Sequence, residues 1–258
     1  MIHLTDSGYP AGTVIVAAAT QPRFYEFQTS LHNLGAPVGT KLLIERSCDI
    51  TQNFNNGVKD MTGEWAWFLG DDHSFDKNLL MRFLRHEVDV VVPIAPCKVP
   101  PFMPCMMHGP EDGSGVWRED MLLYNWDELS GEGLMALPKG DFIGQAGMLV
   151  KKHVLDRIGY PWFKCGQLDP GRLQEDMTFC HEIQSLGYTV WVDQEVVFDH
   201  HFTMGVTARK HQGKWAPALT SPNGQVMVLP DVKPTIHVEG GKRYGKLPVE
   251  ADYLKVAA

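Results

Sequence analysis

Two carboxylates and an imidazole follow one another at Asp71, Asp72 and His73, and Gly70 separates them from the apolar run Trp65–Leu69. An apolar run of about five residues bounded by Gly is typical of a buried parallel strand, and ligands bind beyond the carboxyl ends of such strands in open α/β sheets. Carboxylate and imidazole groups both bind divalent cations. The segment therefore predicts a metal site, although the two acids could equally end the strand ahead of a capped helix.

A second acidic pair, Glu175 and Asp176, stands about a hundred residues later. Apolar residues recur at helical spacing from Met177 to Leu186, and Gly187 is a typical helix end. The two carboxylates then occupy the first turn of a helix. The helix dipole favours acids there by roughly 0.3–1 kcal/mol each, so a purely structural role would also explain them.

Two short strand-like runs follow that helix, and the second of them is closed by His200 and His201. The order is a strand, Asp-Asp-His, a central segment, a helix that opens with Glu-Asp, a strand and a His. This order resembles that of the GT-A fold glycosyltransferases, particularly the family 2-like enzymes, over roughly residues 13–202.

The resemblance implies a divalent cation held against the diphosphate of a nucleotide-sugar donor. It assigns Asp72 as the metal-bearing carboxylate, Asp71 as a donor or metal contact, and His200 as the later metal ligand, with His201 as the alternative. Magnesium needs only one or two protein carboxylates, whereas manganese also accepts imidazole nitrogen. Mn²⁺ or Mg²⁺ is therefore the expected cofactor.

The Glu-Asp pair supplies the catalytic base in the family. By the resemblance, Asp176 is the base and Glu175 stands beside it. A carboxylate can remove the acceptor hydroxyl proton as that oxygen attacks the anomeric carbon. The resemblance also implies inversion at that carbon.

Weaker donor contacts are expected in three places. By the resemblance, the turn after the first strand touches the nucleotide, which gives Thr20 and Arg23, and the segment around Gly147 shapes the donor and acceptor pocket. Asn53 lies near the start of a predicted helix, where similar enzymes place a polar side chain near the donor. Helix capping is the alternative role for that residue.

The chain departs from the family pattern at two points. Family members commonly carry an acid where this chain has Gly70, which leaves the first metal or ribose contact open. The second predicted strand, 41–45, is followed by Arg46 and Ser47 rather than by an Asp. The usual base-contacting carboxylate, and with it the nucleotide, is therefore not assigned.

Apolar runs of strand length alternate with helical periodicity along the first hundred residues. The predicted strands are 13–19, 41–45, 65–69, 88–93, 188–193 and 195–199, and the predicted helices are 23–34, 51–61 and 77–86. Such alternation indicates an α/β fold with a mainly parallel central sheet and helices on both faces, of the GT-A (Rossmann-like) kind. Residues 109–140 are expected to form an insertion with one or two short strands.

Charge divides the chain into two parts. The net charge is −8, which argues against a protein that holds nucleic acid through general phosphate attraction. Residues 1–202 carry 15 Lys and Arg against 27 Asp and Glu, whereas residues 203–258 carry 8 against 4. We expect a catalytic domain at 1–202 and an irregular, basic C-terminal extension at 203–258, either solvated or acting as a lid over an anionic substrate.

Composition indicates an intracellular globular protein. Five cysteines without zinc-like or Cys-x-x-Cys spacing are typical of reduced thiols. No apolar run approaches the roughly 18 residues of a membrane span, and no secretory leader is apparent. A cytoplasmic location is expected, in a host cytoplasm if the chain is virus-encoded.

The predicted activity is metal-dependent transfer of a sugar from a nucleoside-diphosphate donor, expected to be UDP-linked, to an acceptor hydroxyl. The sequence does not distinguish between a modified DNA base, a protein and a glycan as the acceptor. It does not determine the oligomeric state either. Two other functions are compatible with the sequence. The first is a metal-dependent nucleotidyltransferase or phosphoesterase, although such enzymes often bind two metals and need more clustered acids than this chain has. The second is a non-catalytic protein that binds a nucleotide sugar.

Overall fold

The computed structural model describes residues 2–18, 24–47, 49–98, 102–109, 123–168, 171–203, 205–220, 226–228, 235–239 and 242–246. The chain divides into two compact units, one made of residues 1–97 and 103–201 and the other of residues 98–102 and 202–258. No helix in these ranges is long and apolar enough to cross a lipid bilayer.

All helices of the described ranges belong to the first unit. The α-helices are α1 Tyr25–Asn33, α2 Ile50–Lys59, α3 Leu79–Arg85, α4 Lys152–Ile158 and α5 Glu175–Ser185, and a 3-10 helix spans Trp126–Leu129. The three helices predicted from periodicity before residue 90 are present, each slightly shorter than predicted. Helix α5 begins at Glu175 as expected, so both acids of the second pair lie in its first turn.

The strands of the first unit form one large sheet and several two-stranded ribbons. They are β1 His3–Thr5, β2 Thr13–Ala17, β3 Gly35–Pro37, β4 Lys41–Glu45, β5 Trp65–Gly70, β6 His73–Ser74, β7 Val90–Ile94, β8 Met106–Met107, β9 Leu134–Ala136, β10 Phe142–Ile143, β11 Leu149–Lys151, β12 Gly166–Leu168, β13 Gly171–Leu173, β14 Trp191–Val197 and β15 Asp199–His200. The central sheet has the strand order β4-β2-β5-β11-β7-β14-β9. The two strands predicted at 188–199 are one long strand, β14, followed by the short β15.

The α/β class is confirmed, but the central sheet is mixed rather than mainly parallel. Strands β4, β2 and β5 are parallel to one another, and β7 is parallel to β14. Strand β11 lies between β5 and β7 and is antiparallel to both, and β9 is antiparallel to β14. A loop, and not a crossover helix, joins β10 to β11. Strand β11 therefore begins at the edge of the sheet where β5 and β7 end, and it runs in the opposite direction to both.

Helices cover both faces of this sheet, as predicted, because successive side chains of each strand point to opposite faces. On one face Ile15, Phe68 and Val92 pack with residues of α2, α4 and α5. On the other face Val14 and Trp67 pack with residues of α1 and α3. The sheet therefore offers its strand ends, rather than its faces, to a ligand.

A buried carboxylate ties β14 to α3. Asp193 has no exposed surface and accepts two hydrogen bonds from Arg82, at 2.6 Å and 2.8 Å, and pairs with His86 at 2.9 Å. Burial alone would raise the pKa of Asp193, but the hydrogen bonds from Arg82 and His86 outweigh it and hold the pKa below its ordinary value.

Replacing Asp193 by Asn should lower the free energy of unfolding by about 1–3 kcal/mol at pH 7. This is less than for a fully buried pair, because the Arg82 side chain is 33% exposed. A carboxyl with a lowered folded pKa stabilises the protein above its unfolded pKa, and this contribution is lost as the pH falls through the folded value. Denaturant unfolding at pH 7 and pH 3 measures both effects. Glu195→Gln, which alters the exposed partner of Arg82, is the control and should change stability much less than Asp193→Asn does.

The second unit contains β-structure where an irregular extension was expected. Strands β16 Gly205–His211, β17 Lys214–Thr220 and β18 Val226–Val228 form an antiparallel sheet, and β19 Thr235–Glu239 pairs with β20 Lys242–Lys246. The turn Gln212-Gly213 between β16 and β17 has positive φ at both residues, as a two-residue type I′ hairpin requires. Gly213 is thus a turn residue, and Pro217 lies within β17. The lid function stays a prediction.

Candidate metal and catalytic site

A two-stranded ribbon at the carboxyl edge of the sheet brings the two histidine segments together. Strand β6 pairs antiparallel with β15, which places His200 directly opposite His73. Their rings stack with centroids 4.0 Å apart. The backbone amide of His201 also donates to the Asp72 carbonyl at 2.7 Å. Residues far apart in sequence are therefore fixed side by side by backbone hydrogen bonds.

Asp72, His73 and His200 form a compact group of possible metal ligands. One ligand atom from each lies within 4.8 Å of the other two. Asp72 Oδ1 lies 2.9 Å from His73 Nδ1, and Asp72 Oδ2 lies 3.8 Å from His200 Nε2. Asp72 and His73 are buried, and His200 is partly buried. The group can hold a metal ion at the end of β5.

A backbone contact orients His200 for this role. Its Nδ1 lies 2.7 Å from the carbonyl oxygen of Pro96. A carbonyl oxygen only accepts, so Nδ1 carries a proton, and Nε2 is the nitrogen that faces Asp72. Metal-binding histidines generally donate their second ring nitrogen in this way.

The donor set suits a transition metal better than magnesium. Magnesium prefers oxygen ligands in near-ideal octahedral geometry, whereas one carboxylate with two imidazoles suits manganese, iron or zinc. A fourth side chain cannot easily join at position 70. A Cβ at Gly70 would lie 2.9 Å from Asp72 Oδ1 and 3.3 Å from His73 Nδ1. The glycine that departs from the family pattern is thus required for the present packing of Asp72 and His73.

Asp176 faces the same cleft from the first turn of α5. The cleft has a volume of about 210 Å³ and is lined by Asp72, His73, His200, Glu175 and Asp176 together with mainly apolar side chains. Burial of the carboxyl group and the charge of Glu175 raise the pKa of Asp176 to about 6. Asp176 is therefore ionised at neutral pH, with a proton affinity higher than that of an ordinary aspartate.

Cys105, the one thiol among the described residues that line the cleft, is unsuited to serve as a base. A hydrogen bond with Cys97 and burial both raise its pKa well above the ordinary value. The same contact lowers the pKa of Cys97, which is not among the cleft-lining residues. Cys105 is thus a neutral thiol at physiological pH, and Asp176 and Glu175 are the carboxylates near the metal group.

The remaining predicted site residues include Asp71, Asn53, Thr20 and Arg23. Asp71 is buried but is not part of the three-residue metal group found among the described residues. Asn53 is buried, and its Oδ1 accepts from the backbone amide of Ser47 at 2.7 Å, which holds the turn after β4. Thr20 and Arg23 lie outside the described residues. The donor contacts expected of these residues stay predictions.

Gly147 lies at the entry to β11 and has φ +77°. A Cβ there would lie 2.5 Å from the Phe198 ring, so the position requires glycine for both conformation and space. Its amide donates to Phe68 O at 2.8 Å, and its carbonyl accepts from Trp67 Nε1 at 2.7 Å. The structure gives Gly147 a packing role, and its predicted contact with the donor stays a prediction.

His73 was not assigned as a metal ligand from the sequence, although it directly follows Asp72. The missing information is the pairing of β6 with β15, which no local pattern in these two-residue strands reveals. His201, the alternative ligand, is turned the other way. Its Nε2 lies 2.9 Å from Ser74 Oγ, and its ring packs against Phe24.

Two roomier cavities lie elsewhere on the first unit. One, of about 380 Å³, includes Trp65, Phe83 and Lys151 in its lining, and the other, of about 410 Å³, lies beside Arg82 and Phe198. Among the described residues, neither contains a group of three metal-ligating side chains. The smaller cleft is the one that joins a metal group to a carboxylate with a raised pKa.

No protein-family model matches the chain, and no curated protein matches it. Among solved structures, the chain is similar to the crystal structure of S. aureus TarS 1-349, with 13% sequence identity and a TM-score of 0.43. The similarity covers 72% of this chain and 59% of TarS 1-349, so the chain spans less than two thirds of that protein. Function is accordingly inferred from the side chains of the cleft.

Proposed function

We propose that the chain is a metal-dependent glycosyltransferase that moves a sugar from a nucleoside-diphosphate donor to an acceptor hydroxyl. The proposed donor is a UDP-linked sugar. The observation that carries the proposal is the presence of Asp72, His73, His200 and Asp176 in one cleft at the carboxyl edge of the sheet. Residues 1–202, which contain all of these groups, are the proposed catalytic domain.

Asp72, His73 and His200 would hold the cation, and manganese is the proposed ion among the transition metals that accept one carboxylate and two imidazoles. When bound, the cation supplies Lewis-acid stabilisation of the negative charge that builds on the departing diphosphate. The cleft is lined mostly by apolar side chains, which exclude water from a reactive sugar and strengthen electrostatic interactions.

Asp176 is the proposed general base. It accepts the proton of the acceptor hydroxyl as that oxygen attacks the anomeric carbon from the side opposite the diphosphate, which would invert that centre. A base is most effective when its pKa lies near the working pH, and a pKa of about 6 meets this condition better than that of an exposed aspartate. Glu175 contributes by its charge, which raises the proton affinity of Asp176.

Transfer should depend on pH through Asp176. Because only the ionised carboxylate accepts a proton, kcat/KM is expected to rise about tenfold per pH unit below pH 6 and to level off above about pH 7. Initial rates between pH 4.5 and 8 at saturating manganese measure this profile. Glu175→Gln removes the nearby negative charge and should move the midpoint to lower pH. A wild-type profile that is flat between pH 5 and 7 would exclude Asp176 as the base.

The test of the function is a panel of nucleotide sugars, with and without manganese, in which released nucleoside diphosphate is measured. Release that needs both a particular sugar donor and the metal is the expected result. Release of pyrophosphate instead would indicate a nucleotidyltransferase. Saturable donor binding without any turnover, including slow donor hydrolysis, would indicate a binding protein.

A further inference from the structure

One polar atom in the wall of the cleft has no partner within the chain. Gln145 lies in the loop between β10 and β11 and is 6% exposed. Its Oε1 is buried, and no donor among the described residues reaches it. Buried polar atoms are nearly always hydrogen-bonded, and an unpaired acceptor costs free energy. Gln145 is one of the residues that line the cleft, so its unpaired acceptor points to a ligand that brings a donor.

The backbone around Gln145 is firmly held. Gly144 N donates to Cys105 O at 2.9 Å, Gly147 N donates to Phe68 O at 2.8 Å, and Met148 N donates to the backbone carbonyl of Gln145 at 2.9 Å. The loop is thus fixed to Cys105, to β5 and to itself. The side chain of Gln145 is accordingly presented from a rigid support, as a specificity contact requires.

The two ends of this loop lie near the base and near the metal group. At one end a Cβ at Gly144 would lie 3.6 Å from Asp176 Oδ2. At the other end Gly147 packs against Phe198, whose ring centroid lies 5.7 Å from that of His73. Gln145 lies in this loop and lines the same cleft as Asp176 and the metal group. In the proposed reaction this cleft holds the donor sugar, because the anomeric carbon faces the base while the diphosphate binds the metal.

We propose that Gln145 Oε1 accepts a hydrogen bond from a hydroxyl of the donor sugar and that this contact selects the sugar. The proposal rests on the proposed glycosyltransferase function. A sugar that lacks the hydroxyl, or carries it in the opposite configuration, would leave the buried oxygen unpaired and bind more weakly.

The test is Gln145→Leu, which keeps the size of the side chain and removes its polar end. Calorimetry with MnCl₂ compares UDP with UDP-glucose, UDP-galactose and UDP-N-acetylglucosamine. Affinity for the preferred sugar nucleotide should fall about tenfold, while affinity for UDP stays unchanged. The melting temperature should stay equal or rise, because the substitution removes an unpaired buried oxygen.

Thr40→Val is the matched control. Thr40 Oγ1 is also buried without a partner among the described residues, but Thr40 does not line the cleft. This substitution should likewise leave the melting temperature equal or higher, and it should not change the affinity for any nucleotide.

Three results would overturn the assignment of Gln145. A lower melting temperature of Gln145→Leu would show that the oxygen is paired within the chain. Equal effects on UDP and on the sugar nucleotides, or no effect on either, would remove the sugar contact. Unchanged donor binding and donor hydrolysis with a raised acceptor KM would place Gln145 in the acceptor site instead. Failure of the wild-type protein to bind any sugar nucleotide would count against the proposed function, whereas the melting temperature tests Gln145 independently of it.

Discussion

Replacing Asp176 by Asn is expected to lower the rate of sugar transfer by about 10²–10⁴-fold, the usual contribution of a positioned general base. Asn keeps the size of the side chain and can still accept the hydrogen bond that Met177 N donates to Oδ1 at 2.7 Å. It cannot take up the acceptor proton. Donor binding with manganese should persist, because the metal group lies in the turn after β5, on β6 and on β15 and is left intact.

The loss of activity should occur without loss of stability. Asp176 has a folded pKa of about 6, above its ordinary value, because burial and Glu175 disfavour its charged form. An acid with a raised folded pKa makes the protein less stable as the pH rises from the unfolded pKa through the folded one. The Asn variant should therefore be at least as stable as the wild type, most clearly above pH 6. Single-turnover kinetics and thermal unfolding measure the two effects, and a variant that keeps most of its transfer rate would remove Asp176 from the base role.

Replacing Asp72 by Ala is expected to weaken Mn²⁺ binding by more than about 100-fold. Asp72 supplies the only carboxylate of the metal group and is close to both histidines. Loss of an outer-shell partner of a metal ligand already costs about 10–100-fold, so loss of a ligand should cost more. Manganese titration by calorimetry, followed by donor titration at a fixed manganese concentration, measures the effect. Donor binding that remains manganese-dependent and unaltered would refute the metal assignment.

Neighbouring histidines provide the control. His200→Ala should weaken manganese binding as Asp72→Ala does, because Nε2 of His200 points to Asp72. His201→Ala should change manganese affinity by less than about twofold, because its ring lies on Ser74 and Phe24. The reverse pattern would show that the ligand is His201 and that the ribbon of β6 and β15 has a different register when metal is bound.

The elements that position the site were largely predictable because they are long enough to carry a pattern. Strand β5 is a continuous apolar run, and α5 shows helical spacing after Glu175 and Asp176. The convergence of Asp72, His200 and Asp176 on one cleft was expected from the order of these elements and from the family resemblance. Their proximity is now seen in the structure, while their catalytic and metal-binding roles remain proposals.

The remaining features depend on contacts that local patterns do not contain. His73 joins the metal group through a ribbon of two-residue strands, too short to show a period. Gln145 is proposed as a ligand contact because no donor among the described residues reaches its Oε1. The sequence alone does not show that this oxygen is unpaired. The direction of β11 depends on the loop that leads into it from β10 and not on the apolar character of Leu149 and Val150.

The placement of β11 between β5 and β7 has a consequence for synthesis of the chain. Proteins are made from the amino terminus, so β5 and β7 leave the ribosome well before Leu149. Until β11 arrives, each of them has an inner edge with unsatisfied backbone groups, of the kind that pairs with strands of other molecules. A nascent chain arrested before Leu149 should therefore aggregate. Strands β5 and β7 can join through β11 only once residue 151 has emerged.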